Sequence, residues 1–229
     1  MRLGFGQVLR TGLKWALRIG ATVCVLVALL LVAYRFVPPV STLMLARWAT
    51  LRGVDRQWLP LDRISPNLAA AVVTSEDGRF CRDAGVDWGA LREVIRKGGV
   101  RGPSRGASTI HMQTAKNLFL WPARSFIRKG LEIPLALTIN LLWPKRRVME
   151  VYLNIAEWGN GVFGAEAAAR RYFKKSAADL TPREAALLAA ALPNPIHRNP
   201  AAPSGMYGRL ATLIMVRARE PGDKLDCLR

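Results

Sequence analysis

A run of apolar residues near the N-terminus constrains this chain more than any other feature of its sequence. Ile19 to Val37 is apolar except for Thr22 and Arg35. As an α-helix, this segment would span about 28 Å, which is close to the hydrocarbon thickness of a bilayer. The sequence therefore predicts one transmembrane helix over residues 19–37.

The residues before this run set its expected orientation. Residues 1–18 contain four basic side chains and no acidic one: Arg2, Arg10, Lys14 and Arg18. The positive-inside rule places such a basic N-terminus in the cytoplasm and the rest of the chain outside it. A cleaved signal peptide is the alternative, but the run is long for one and Val37-Pro38-Pro39-Val40 offers no small-residue cleavage site. We therefore favour an uncleaved anchor.

Charge and cysteine content narrow the classes of partner. The 229 residues include 34 Lys and Arg against 16 Asp and Glu, a net charge of +18. This excess predicts an anionic partner, which could be nucleic acid, lipid head groups or a phosphorylated substrate. Cys24 lies in the apolar run, and Cys81 and Cys227 could pair only if the fold brings them together. We expect free thiols, and the scattered His and Cys residues predict no zinc site.

The exported part of the chain is predicted to be mainly helical. Residues 38–65 lack sustained periodicity and are predicted to form a juxtamembrane linker, which leaves 66–229 as one folded domain. Helix signals then recur as caps, Pro at the first helical position and Gly at helix ends. They predict helices from Ser65-Pro66 to Ser75, from an Asp87 cap to Lys97, from a Ser108 cap to Leu118, from Arg124 to Leu142 with a kink at Pro134, over Lys145–Ile155, and from the Thr181–Glu184 capping box to Pro193. Residues 98–107 are predicted to form a mobile basic loop.

Adjacent acids end the first of these helices. Glu76 and Asp77 could form a solvated helix end, as charged residues commonly do. A carboxylate at a helix end beside a cleft could instead serve as a general base once burial raises its pKa. The residues alone leave both interpretations open, and the same holds for Arg128, Lys129 and Glu132, which could be an intrahelical ion pair or an anion site.

Five segments in order over residues 76–195 settle the interpretation. They read Glu76-Asp77-x-x-Phe80 with Gly85; Gly106-Ala107-Ser108-Thr109-Ile110-x-x-Gln113-x-x-Lys116-Asn117; Arg128-Lys129-x-x-Glu132; Glu150-x-Tyr152-Leu153-Asn154 with Gly159-x-Gly161-x-x-Gly164; and Glu184-Ala185-Ala186-Leu187-Leu188-Ala189 through Pro193-Asn194-Pro195. Together they resemble the family 51 peptidoglycan glycosyltransferases, most closely the monofunctional, membrane-anchored type.

The resemblance implies a lysozyme-like fold of two helical lobes around a cleft, in a bacterial inner membrane with the catalytic domain in the periplasm. It implies polymerisation of lipid II into β-1,4-linked glycan strands with release of undecaprenyl diphosphate. Lipid II, the nascent strand, the anionic membrane surface and cell-wall synthesis proteins are the implied partners, and nucleic acid is not one.

The resemblance also assigns roles to particular side chains. Glu76 is the expected general base, and Glu132 the second carboxylate, which either orients the diphosphate-binding cations or helps to hold a divalent metal such as Mg²⁺ or Mn²⁺. The expected substrate-binding residues are Asp77, Phe80, Ser108, Thr109, Gln113, Lys116, Asn117, Arg124, Arg128 and Lys129. Apolar residues 118–121, beside Arg101, Arg105 and Arg124, are expected to dip into the lipid head groups.

The chain departs from the family pattern inside these segments. The family usually carries His where Asp83 stands, a short hydroxyl residue followed by Gln where His111 and Met112 stand, and Glu where Asn140 stands. No proposed reacting group is lost. The departures do predict altered hydrogen bonding around the first two segments.

Two other functions would account for some of the same sequence features. A lysozyme-like lytic enzyme would use the fold and one Glu, but it protonates a sugar leaving group and has no use for clustered Lys and Arg. A non-enzymatic basic membrane scaffold explains the charge but not the ordered segments. We expect no transpeptidase domain, because no Ser-x-x-Lys occurs and only 34 residues follow Pro195.

Overall fold

The computed structural model describes residues 5–98, 108–123 and 125–229. The chain divides into two compact units, residues 1–37 and residues 38–229. The predicted basic loop over 98–107, apart from Gly98, lies outside the described residues, and so does Arg124.

The first unit contains one long helix, α1, over Phe5–Tyr34. Its stretch Arg10–Tyr34 has 25 residues and a mean hydropathy of 2.5, which is long and apolar enough to cross a membrane. The helix therefore begins earlier and ends earlier than the predicted span of 19–37. It agrees with a single-pass membrane anchor in length and composition.

The second unit is mainly helical, as expected. Its described helices are α2 (Thr42–Ala49), α3 (Pro66–Glu76), α4 (Trp88–Gly98), α5 (Ile110–Phe119), α6 (Phe126–Leu142), α7 (Lys145–Ile155), α8 (Ala165–Phe173), α9 (Pro182–Ala191) and α10 (Gly205–Arg219). Short 3-10 turns cover Leu61–Arg63, Ala177–Asp179 and Gly222–Leu228. A small sheet has the order β1 (Asp55–Arg56), β3 (Val162–Phe163), β2 (Glu157–Gly159), with β1 parallel and β2 antiparallel to β3.

The core separates into two helix groups that meet at the end of α3. One group packs α3 against α9 and α10, and the other packs α5 against α6 and α7. Residues 68–73 of α3 are all buried, and α9 contributes buried alanines that allow close helix approach. Glu76, the last residue of α3, is therefore held where the two groups meet.

Local signals predicted most helix ends correctly. The Thr181–Glu184 capping box is present, and Asp87 Oδ1 accepts from the Ala90 N–H at the start of α4. The predicted Ser108 cap of α5 is wrong by one residue, because the Thr109 hydroxyl accepts from the Met112 N–H. Ser65 stands at the N-cap position of α3 with Pro66 at the first helical position, as predicted, but its hydroxyl donates to the Leu180 carbonyl and makes no capping hydrogen bond.

Residues 38–65 differ from the predicted linker, because they pack into the second unit. Met44 is fully buried, and the Thr42 hydroxyl donates to the Leu120 carbonyl at 2.6 Å. The Asn154 side chain pairs with both the N–H and the carbonyl of Leu59. These contacts join single residues of 38–65 to distant parts of the chain, so they leave no periodic pattern in the sequence.

Cys81 and Cys227 form a disulfide, with 5.4 Å between their Cα atoms. The expectation of free thiols at these positions is therefore corrected. The bridge ties the 3-10 turn Gly222–Leu228 to the loop after α3, which is the loop that follows Glu76. Cys24 on α1 is a free, exposed cysteine.

Candidate active site

Glu76 lies at the C-terminal end of α3 with its carboxylate directed to α5. Its Oε2 accepts a hydrogen bond from Gln113 Nε2 at 2.9 Å. Burial raises the pKa of Glu76, and this effect is opposed by hydrogen bonds from Gln113 and Ser75 and by the charges of Lys116 and Arg198. A carboxylate in this setting is a stronger proton acceptor than an exposed one.

Gln113 is fixed in turn by Tyr152. The Tyr152 hydroxyl on α7 donates to Gln113 Oε1 at 3.1 Å, which leaves the amide nitrogen of Gln113 to face Glu76. Tyr152 is almost fully buried. The sequence predicted Gln113 as a site residue but gave Tyr152 no site role, although it lies in the fourth segment.

The basic residues meet on α5 and α6. Glu132 is buried, and its Oε2 lies 2.8 Å from Lys129 Nζ, while its Oε1 pairs with Arg128. Lys129 Nζ also lies 2.6 Å from Ser108 Oγ. The structure thus brings Glu132 together with three of the predicted substrate-binding residues, Ser108, Arg128 and Lys129.

Lys116 connects this cluster with the predicted base. Burial lowers the pKa of Lys116, and the charges of Arg128 and Lys129 add to that effect while those of Glu132 and Glu76 oppose it. Three cations, Lys116, Arg128 and Lys129, therefore face one buried carboxylate, Glu132. A group of cations near Glu76 is suited to stabilising a developing anion.

Several other predicted substrate-binding residues have internal partners. Asp77 is 7% exposed and its Oδ2 accepts from the Ile110 N–H at 2.9 Å. Phe80 is fully buried, so it packs in the core and does not line a cleft as expected. The Thr109 hydroxyl donates to the Gly85 carbonyl, and the Asn117 carbonyl accepts from Thr42. The contacts shown for these residues are with other protein groups, so we expect them to stabilise the fold around the site.

Two of the departures from the family pattern, Asp83 and His111, lie together in one polar cluster. Asp83 and His111 lie with Asp77 so that one ligand atom from each falls within 4.8 Å of the others. Lys145 Nζ reaches into this cluster, 2.7 Å from the Asp83 carbonyl and 3.5 Å from His111 Nε2. Met112 is fully buried and packs in a small apolar cluster with Val86, Leu91 and Ala136.

The apolar residues expected at the membrane divide into buried and exposed ones. Leu118 and Leu120 are buried, so the expectation that they dip into head groups is wrong. Trp121 is 42% exposed, and the exposed apolar surface continues on α6 with Phe126 at 72% and Ile127 at 74%. The exposed apolar surface thus lies at the start of α6, a few residues after the segment 118–121 that the sequence predicted to meet the membrane.

Comparison with known proteins gives a consistent result. The family model described as Transglycosylase matches residues 44–218. A biosynthetic peptidoglycan transglycosylase of Brucella suis biovar 1 (strain 1330) is 53% identical over 216 residues, covering 93% of this chain and 96% of that relative. Relatives with the same description are 48% identical in Rhizobium meliloti (strain 1021), covering 97% and 98% of the two chains, and 56% identical in Rhodospirillum centenum (strain ATCC 51521 / SW), covering 84% and 85%.

Proposed function

The chain belongs to the Transglycosylase family and is a peptidoglycan glycosyltransferase that polymerises glycan strands, and on this premise we propose that Glu76 is its general base. The hydrogen-bonded sequence Tyr152–Gln113–Glu76, with Lys116 beside it, is the observation that supports this proposal. It holds a carboxylate of raised pKa next to a group of cations.

The reaction needs one proton acceptor and one stabilised leaving group. The 4-hydroxyl of an acceptor GlcNAc attacks the anomeric carbon of the growing chain's MurNAc, and Glu76 takes the hydroxyl proton. The bond from the anomeric carbon to the diphosphate oxygen breaks, and undecaprenyl diphosphate leaves with that electron pair. A β-1,4 bond forms with inversion at the anomeric carbon.

The leaving diphosphate needs positive charge and not a proton. We propose that Lys116, Arg128 and Lys129 stabilise it, with Ser108 and the undescribed Arg124 as further contacts. Glu132 would orient these cations, because both of its carboxylate oxygens already pair with Arg128 and Lys129. This arrangement fits an orienting role better than that of a ligand for Mg²⁺ or Mn²⁺.

The proposed location follows from the substrate and the basic N-terminus. Lipid II stays in the bilayer, and an enzyme anchored by α1 would search for it in two dimensions. We propose a single-pass inner-membrane protein with a cytoplasmic N-terminus and a periplasmic catalytic unit. Cell-wall synthesis proteins are the expected further partners, and nucleic acid is not expected.

A lipid II polymerisation assay tests the proposed base. Glu76→Gln keeps the hydrogen bond geometry but cannot accept the proton, so we expect about a 10²- to 10⁴-fold loss of glycan product. Glu132→Gln should also reduce the rate, because it unbalances the cations. The products of the wild type should be long chains that muramidase digests and whose formation moenomycin blocks.

Glu184→Gln is the matched control, since Glu184 serves in the capping box of α9 and glutamine can fill that position. It should polymerise lipid II like the wild type. Full activity of Glu76→Gln would overturn the assignment of the base. Cleavage of finished peptidoglycan without any synthesis would favour the lytic alternative.

A further inference from the structure

A buried group of charged and polar side chains lies behind the proposed base. His111 is fully buried, Asp77 is 7% exposed, and the side chain of Asp83 is 5% exposed. Lys145 enters from α7 with its side chain 18% exposed. These four residues come from four different parts of the chain: the end of α3, the loop after it, α5 and α7.

Lys145 holds the group together. Its Nζ donates to the Asp83 carbonyl at 2.7 Å, lies 3.8 Å from Asp83 Oδ1 and 3.5 Å from His111 Nε2. The ammonium thus supplies the positive charge that two buried carboxylates require. The spacing of Asp77, Asp83 and His111 would suit a metal ion, but the Lys145 ammonium already lies beside Asp83 and His111.

Two polar atoms of the group have no hydrogen-bond partner in the structure. They are Asp83 Oδ2 and His111 Nδ1, and both are buried. Unpartnered buried polar atoms lower the stability of the fold, so apolar side chains of the same volume would make a more stable core. Such a cost is typical of functional sites.

Asp77 connects the group with the active site. Its carboxylate accepts from the backbone N–H groups of Ile110 and Arg79. Ile110 begins α5, and Gln113, which holds Glu76, lies one turn further along the same helix. The state of Asp77 therefore affects how α5 is fixed against the end of α3.

We propose that Lys145, which the Asp83 carbonyl and His111 hold in place, is a positioning residue that keeps Asp77 ionised, and that ionised Asp77 fixes α5 and so places Gln113 against Glu76. The proposal rests on the function proposed for Glu76. It adds that the enzyme loses activity when Asp77 takes up a proton, because a protonated carboxyl turns one of its two accepting oxygens into a donor.

The charges around Asp77 set the expected direction of each change. Burial, and then the charge of Asp83, raise the pKa of Asp77 to about 7, while the Ile110 and Arg79 backbone N–H groups and Lys145 lower it. Burial also lowers the pKa of His111 to about 3, so His111 is neutral and contributes no charge. The titratable and charged groups that face Asp77 and Asp83 are Glu76 on α3, Arg79, Asp83 and Asp87 in the following loop, His111 on α5, and Lys145 and Tyr152 on α7.

The test measures the pH dependence of lipid II polymerisation by two full-chain variants that should change the pKa of Asp77 in opposite directions. Asp83→Asn removes the anion that raises the Asp77 pKa, so the acid limb of the activity profile should move down by about one pH unit. Lys145→Met removes the cation that lowers the Asp77 pKa, so the acid limb should move up by a similar amount. Simple damage to packing would lower activity in both variants without moving the two limbs in opposite directions.

Controls separate this proposal from the one on which it rests. Asp62→Asn and Lys175→Met each remove one charge outside this group, since Asp62 pairs with Arg146 and Lys175 with Glu184. Neither substitution should move the acid limb of the activity profile. Thermal melting of every variant across the same pH range shows whether it is folded. Limbs that stay in place in both folded, active variants overturn the positioning network alone. An active Glu76→Gln enzyme overturns the proposed base whatever the limbs do.

Discussion

At the scale of single residues, the orientation of one amide decides how Glu76 is presented. Gln113 could turn either its oxygen or its nitrogen to the carboxylate, and only the nitrogen can donate. The Tyr152 hydroxyl removes the ambiguity by donating to the oxygen. The base is therefore positioned by a residue that need not touch the substrate.

Tyr152→Phe tests this role, because phenylalanine fills the same buried volume without the hydroxyl. The Gln113 amide would lose its fixed orientation, and we expect kcat to fall about 3- to 10-fold, the size of one hydrogen bond. Tyr172→Phe is the matched control, since the Tyr172 hydroxyl donates to the Trp158 carbonyl instead. Equal rates in the two variants would contradict an orienting role for Tyr152.

At the scale of elements, the sequence predicted the helices that carry their own signals. The Thr181–Glu184 capping box and the Asp87 cap were found because caps act within one turn. Residues 38–65 escaped prediction because their packing depends on distant contacts, such as that of Thr42 with the Leu120 carbonyl, more than seventy positions away. The same reason hid the role of Tyr152 and the burial of Phe80, since burial depends on packing and not on local pattern.

The exposed face at the start of α6 carries the membrane prediction. We expect Phe126 and Ile127 to insert among lipid tails or head groups, next to the cations that would meet the substrate diphosphate. Replacing both by Ser should weaken binding of a form without residues 1–37 to anionic phospholipid vesicles by at least about tenfold, given the apolar area lost. Co-sedimentation with the vesicles measures the change.

Leu213 and Val216 provide the comparison, as exposed apolar residues on α10. Their replacement by Ser should leave vesicle binding close to that of the unaltered catalytic unit. If the two pairs of substitutions weaken binding equally, the membrane contact is not specific to α6.

At the scale of the whole molecule, two independent features bear on the side of the membrane where the catalytic unit works. The basic residues that precede the apolar run Ile19 to Val37 favour a cytoplasmic N-terminus. The Cys81–Cys227 disulfide closes a loop of 146 residues, and such bonds form and persist in oxidising compartments such as the periplasm. Charge at one end of the chain and covalent chemistry at the other thus favour the same topology.

Thiol counting in cells tests this topology. If the catalytic unit is periplasmic, denatured protein from cells should react with a mass-shifting maleimide only at Cys24, because Cys81 and Cys227 are joined. Prior reduction should raise the number of labelled thiols to three, and Cys24→Ala should lower each count by one. Three reactive thiols before reduction would place the unit in a reducing compartment and contradict both the disulfide and the proposed orientation.

A Cys227→Ser protein should also unfold at a lower temperature, since losing a bridge that closes so long a loop costs about 2–4 kcal/mol.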